Sequence, residues 1–449
     1  SGVGDLTIDG IRGDDTLTVV GTTAVDAFTI TATSVVHASL QDANTISNVD
    51  ALGISGGESA DTFGVTAGAI PIFIDGGDAI GAGDAITISA GANSATFNTG
   101  PETDEGSFTI GGAAGLVSFD HVESLTVVGT SVAGNAATVN GNSADNDITL
   151  TATGTDDFTV GIDGQTVTFT DFNSASLSGD DGDDDVTVTV IAGFTTDVTV
   201  NGDSPTGNTG DTLHVEGTAA GETIAIDLGA GTIDVGSADP ITFTTLEALS
   251  VDAAGGVDTI TVTGSTAYDY TPGSGSDDGT LLADSFPISF SNLGGGETLG
   301  LTGTSLVAHG TDGDNTFALS STGLVLDSRV NITRTGLTTL TLDGLAGDDT
   351  FTVGSGHGYT TVNVDGGSPS NTDVATITAD GANPVTVTLG TSPVSTTDAS
   401  VANTGIGTVN LSGVEVANVA AGTQDVTVNG SGEDDDLTYQ PTGAEAGTV

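Results

Sequence analysis

The run DVTVTV, from Asp185 to Val190, alternates valine with threonine at every step. An extended chain with that period places all its valines on one face and all its threonines on the other. The same pattern recurs in DTLTVV (Asp15 to Val20), DAFTITAT (Asp26 to Thr33), DITLTAT (Asp147 to Thr153), DTITVTG (Asp258 to Gly264) and DTFTVG (Asp349 to Gly354). Each burst has the length and the β-branched content of a strand with one buried side. Between bursts stand Asp-Gly and Asn-Gly pairs, such as Asp9–Gly10, Asn140–Gly141, Asn201–Gly202 and Asp365–Gly366. These residues tolerate positive φ and mark tight turns. Helical spacing is nearly absent, so the expected fold class is all-β.

Composition narrows the function. The 449 residues carry 61 acidic and 3 basic side chains, a formal charge of -58, and the basic ones are Arg12, Arg329 and Arg334. A chain so poor in cations has almost nothing to neutralise phosphates, which excludes nucleic acid as a partner. Cysteine, methionine and tryptophan are absent, so disulfides, thiolate metal sites and cysteine nucleophiles are excluded as well. No apolar run approaches the roughly 18 residues of a membrane helix, and membrane insertion is not expected. With no lysine or sulfur residue to offer proteases and oxidants, the composition suits an extracellular or cell-surface location. The chain starts at Ser1 without a basic-then-apolar leader, as expected of a processed chain or a part of a longer one.

Three markers recur. The first is FIDGGDAIGAGDAITI (Phe73 to Ile88), TVNGDSPTGNTGDTLHV (Thr199 to Val215) and NVDGGSPSNTDVATI (Asn363 to Ile377). The second is HVESLTV (His121 to Val127), TLEALSV (Thr245 to Val251) and GVEVANV (Gly413 to Val419). The third is LGISGGESADTF (Leu52 to Phe63), ASLSGDDGDDDV (Ala175 to Val186) and LTLDGLAGDDTF (Leu340 to Phe351). All three shift together, by roughly 125 residues and then by roughly 165, which describes one unit repeated. The expected units are 1–130, 131–254 and an enlarged 255–449. Acidic strand starts lie about 23–27 residues apart, the length of one coil of a wide solenoid. The expected architecture is a parallel β-solenoid, a β-helix-like repeat rod. The alternative is a tandem array of β-sandwich domains, whose two-sheet cores usually use larger aromatics than this chain supplies. Neither end carries an obvious polar cap, and the sequence around the two ends resembles the stretch from Tyr270 to Thr304, so head-to-tail stacking is expected.

The acidic turns share the spacing Gly-x-x-Gly-x-Asp-x-apolar: Gly10, Gly13, Asp15, Leu17; Gly179, Gly182, Asp184, Val186; Gly344, Gly347, Asp349, Phe351. This resembles the calcium-binding nonapeptide of RTX (haemolysin-type) β-roll repeats. Ile11, Asp180 and Leu345 stand where that pattern has its second glycine. The resemblance implies calcium as cofactor, held by hard oxygen ligands, and the candidate metal ligands are Asp14, Asp15, Asp61, Asp181, Asp184, Asp348, Asp349 and Asp435. More broadly, the GDDTLTV-type strands, DGG turns and ESLTV strands resemble repeat regions of large secreted bacterial surface and matrix proteins, such as giant adhesins, S-layer components and matrix filaments.

Catalysis is not expected. The carboxylates sit in repeated turns and form no unique pair. The five histidines (His37, His121, His214, His309, His357) have no catalytic context and read as surface or turn residues. The functional expectation is a structural extracellular protein that assembles head-to-tail into a filament or surface layer, stabilised by calcium. The alternative is a spacer or stalk segment of a giant cell-surface adhesin. The partners expected are further copies of the chain, divalent cations and cell-surface glycans.

Overall fold

In the computed structural model the described residues are 6–38, 44–77, 83–204, 210–294, 296–368, 372–390 and 398–431, with the backbone of 440–443 and 446–448. Among them every regular element is a β-strand. The chain divides into two compact units: Ser1–Thr218 with Gly231–Asp252, and Ala219–Ala230 with Ala253–Val449.

In the first unit the chain passes back and forth between two sheets, laying one strand in each. Thr62–Thr66, Ala85–Ser89 and Ser124–Val128 stack in parallel in one sheet. Ala51–Gly57, Ile72–Gly77 and Val117–Asp120 stack in parallel in the other. The register keeps like on like. Phe63, Ile86 and Leu125 form one column, and Val65, Ile88 and Val127 the next. Leu52, Ile72 and Val117 face them from the second sheet. All are fully buried, while the threonines between them point outward. A one-residue slip would turn every column inside out, so the alternation fixes the register.

The second unit is built the same way. Leu306, Leu340, Val362 and Val409 are register partners in one sheet; Phe317, Phe351, Ala375 and Ala417 are partners in the other. Rings stack where phenylalanines meet, Phe28 on Phe63 at 5.5 Å and Phe317 on Phe351 at 4.9 Å between centroids. The 23- to 27-residue spacing of acidic strand starts is one coil of this stack. Parallel pairing of successive coils makes each unit a β-solenoid, not a row of β-sandwiches.

Some coils carry three antiparallel strands where others have one. Ala95–Thr99, Gly106–Ile110 and Val117–Asp120 form such a meander. Its first strand pairs in parallel with the following coil at Ala136–Asn140, and its last with the preceding coil at Ile72–Gly77. Three strands return the chain to its original direction, so the parallel stack continues through them. In the first unit meanders fall in one sheet (27–47), then the other (95–120), then the first again (147–170). In the second unit they alternate likewise, at 267–291, 316–335 and 385–412.

Candidate functional site

The acidic strand starts follow the phase of the strands they introduce. Asp61 lies two residues before Phe63, Asp184 two before Val186, and Asp349 two before Phe351. Each therefore shares the inward face, and each is 0 % exposed. A buried carboxylate must find hydrogen-bond donors, and here the neighbouring coil supplies one. Asp61 Oδ1 accepts the backbone N–H of Asp26 (2.6 Å), Asp84 Oδ1 that of Asp61 (2.6 Å), and Glu123 Oε2 that of Asp84 (2.5 Å). The same ladder is built twice more. Asn146 donates its N–H to Asp184 (2.7 Å), Asp184 to Asp211 (2.9 Å) and Asp211 to Glu247 (2.8 Å). Asn315 donates to Asp349 (2.7 Å), Asp349 to Asp373 (2.7 Å) and Asp373 to Glu415 (2.8 Å). The three sequence markers are thus successive rungs of one device: Asp61, Asp184 and Asp349 in the third marker, Asp84, Asp211 and Asp373 in the first, Glu123, Glu247 and Glu415 in the second.

The glycine five residues before each rung has a steric cause. A Cβ added at Gly56, Gly179 or Gly344 would lie 2.4, 2.0 or 2.3 Å from Oδ2 of Asp61, Asp184 or Asp349. The bare Cα is what lets the carboxyl group fold over its own turn. The next position takes a left-handed backbone, with φ of +123° at Gly57 but also +66° at Ile11, +78° at Asp180 and +71° at Leu345. The missing second glycines of the RTX-like pattern are therefore strained positions occupied by other residues.

Each rung uses Oδ1 and leaves Oδ2 buried without a partner; this holds for Asp61, Asp84, Asp184, Asp211, Asp349 and Asp373. Burial pushes these carboxyls upward, Asp211 and Asp349 to about 6, despite the N–H each accepts. Burial also raises Asp61, Asp84, Asp184 and Asp373. Asp26, which heads the first ladder, differs. Burial opposes its charge too, but the Thr22 N–H and His37 outweigh it and the carboxyl lies below its ordinary value. His37 reaches Asp26 at 2.8 Å and is buried, as is His357, so two of the five histidines are interior and not surface residues.

Of the other candidate ligands, Asp14, Asp181 and Asp348 are exposed and Asp15 is half-buried. Asp15 donates its N–H to Asp50 (2.8 Å), and Asp181 accepts from Ser204 Oγ (2.6 Å). Asp348 donates its N–H to Asp314 on the neighbouring coil (2.9 Å), a contact repeated by Asp183 and Asp145 (3.0 Å). Asp435 lies outside the described residues. None of the eight belongs to the one group of three metal-type ligands found among the described residues, Asp156, Asp157 and Asp171, whose ligand atoms lie within 4.8 Å of one another.

That group sits at the end of the meander built on Phe158–Ile162 and Gln165–Thr170. Asp171 takes φ +61° and donates its N–H to Asp157 Oδ1 (3.0 Å), while Ser131 Oγ lies 3.2 Å from Asp171 Oδ1 and also contacts Asp156 Oδ2. Carboxylate and hydroxyl oxygens of this kind suit a hard divalent cation. Sequence reading passed over the group because its residues come from two ends of a hairpin; the signal was the pairing of TDDF (Thr155 to Phe158) with FTDF (Phe169 to Phe172).

Among the described residues, the first and last coils present inward-facing side chains to solvent. Leu17 and Val19 are only half-buried, although their register partners Leu52 and Ile54 are 1 % exposed. In the second unit Val426 is 48 % exposed beside the buried Val385, and Ala417 is exposed beside the buried Ala375. No protein-family model matches this sequence, and no curated protein matches it.

Proposed function

We propose that this chain is a structural extracellular protein that assembles head-to-tail into a filament or surface layer, with calcium bound at acidic turns. The observation that carries the reading is the pair of open outer coils. Among the described residues their strands pair on one side, and their inward columns stop at side chains that water still reaches. Another coil laid on Leu17 and Val19, or on Ala417 and Val426, would bury apolar area and satisfy an edge that otherwise invites pairing. Copies of the chain supply such a coil, and so would further repeats of a longer polypeptide. The second source corresponds to the adhesin-stalk reading, favoured by the threefold repetition of the ladder within this one chain. Calcium enters because a charge of -58 repels itself, and Asp156, Asp157 and Asp171 offer it oxygen ligands. Electron microscopy of the purified chain, with calcium and with chelator, tests the proposal. Fibres or sheets that shorten on chelation are expected; persistent single particles at high concentration in both conditions would overturn assembly and leave the stalk reading.

A further inference from the structure

Apart from Asp15, Asp258 and the ladder carboxyls, eight buried side-chain polar atoms lack a partner among the described residues, and five of them fall in one stretch of the second unit: Tyr270 Oη, Asp278 Oδ1, Glu297 Oε2, Arg329 Nε and Asn331 Oδ1. Glu297, Arg329 and Asn331 line a single cleft of about 370 Å³, with Ser276, Asp277 and Ser328 at its rim. Most buried polar atoms in folded proteins are satisfied, so a concentration of exceptions around one opening calls for an occupant.

Glu297 explains why this corner differs. Thr259 pairs with Thr298, so Asp258 and Glu297 stand just before register partners. Asp84 and Glu123, Asp211 and Glu247, and Asp373 and Glu415 stand in the same relation. In those three pairs the glutamate accepts the aspartate's N–H. Here the N–H of Asp258 goes to the carbonyl of Leu293 (3.2 Å). Glu297 is left 6 % exposed with Oε2 facing no donor. Arg329 does not compensate it. Its Nη1 donates to the carbonyls of Gly273 (2.9 Å) and Gly275, and it forms no ion pair with Glu297. The Arg329 guanidinium and the Glu297 carboxylate therefore share a cleft without meeting, with the half-buried Asp277 as a second carboxylate in its lining.

We propose that this cleft binds a small α-amino-acid zwitterion, its carboxylate on Arg329 and its ammonium on Glu297 and Asn331. An ammonium supplies three donors to the two orphaned acceptors, and a carboxylate supplies the acceptor that Arg329 Nε lacks. A divalent cation would find the oxygens but also the guanidinium beside them. A neutral sugar would leave the charge of Glu297 uncompensated.

Calorimetry and saturation-transfer NMR on the full chain at pH 7, with glycine and L-alanine as probes, test this. Both are expected to bind, and Glu297→Gln and Arg329→Gln are each expected to weaken binding about tenfold or more, as for a lost charge-assisted hydrogen bond. Circular dichroism confirms that the variants fold. The wild-type result stands without them: no binding of either probe up to about 10 mM, the weak end of specific recognition, overturns the proposal. Binding that survives both substitutions overturns it too, as does preference for glucose or for calcium ions at this cleft.

Discussion

Replacing Asp349 by asparagine separates the two uses an acidic turn can have. The rung buries its carboxyl completely, spends Oδ1 on the Asn315 N–H and leaves Oδ2 unpartnered. Burial raises the group from 3.8 to about 6. The sign follows from that direction. The folded state prefers the protonated form, so its contribution to stability is complete below the unfolded value of 3.8. It is lost as pH rises through about 6. Two pH units correspond to about 3 kcal/mol, at about 1.36 kcal/mol per unit. Asparagine keeps the acceptor and places a permanent donor where the acid has one only when protonated; Asn146 and Asn315 already occupy this column. Asp349→Asn is therefore expected to stabilise the fold by about 1 kcal/mol at pH 4.5 and by up to about 3 kcal/mol at pH 8. Urea unfolding of both proteins across that range, in chelator, measures it. A variant that destabilises equally at both pH values would refute the reasoning and restore the carboxylate to a charged role, such as a calcium ligand. A wild-type curve that gains stability with pH would also refute it.

Further outcomes follow from the same geometry. Gly344→Ala drives a Cβ to 2.3 Å from Asp349 Oδ2 and 2.7 Å from the carbonyl of Gly366, and is expected to cost about 1–3 kcal/mol in chemical unfolding. Leu345→Gly relieves an exposed residue at φ +71° and is expected to stabilise by about 1 kcal/mol, read in the same assay. Calcium should raise the melting temperature, and Asp156→Asn combined with Asp171→Asn should abolish most of that rise while leaving the melt in chelator unchanged. Val426→Asp puts a charge at the open end of an inward column; light scattering should show loss of assembly with the melting temperature of the single chain nearly unmoved.

Much of this fold was legible in the sequence, because period-two alternation dictates which side of a strand is buried. The coil step was legible as the spacing of acidic strand starts. What the acids do was harder to see. Asp61, Asp184 and Asp349 resemble calcium ligands by their glycine-rich context, yet their parity with Phe63, Val186 and Phe351 already places them on the inward face. The glutamates of the second marker were legible only as part of a repeat, since nothing local says that Glu123 reaches the N–H of Asp84, 39 residues earlier. The meanders were not legible either: their strands alternate as all the others do, and only pairing distinguishes an added strand from a new coil. The cleft at Glu297 depends on residues from three separated turns and on a hydrogen bond that is not made.

The alternation of meanders has a mechanical consequence. Each one thickens a single sheet by two extra strands, about 9.6 Å at the usual strand spacing. Were two in a row to fall on the same side, the opposite wall would lag, and the stack would open like a wedge and begin to arch. Placing the next insertion on the other wall levels it again. Deleting the two added strands of one meander alone, such as residues 95–116, should therefore warp the unit more than deleting two such pairs on opposite walls, so that the larger excision is the gentler one.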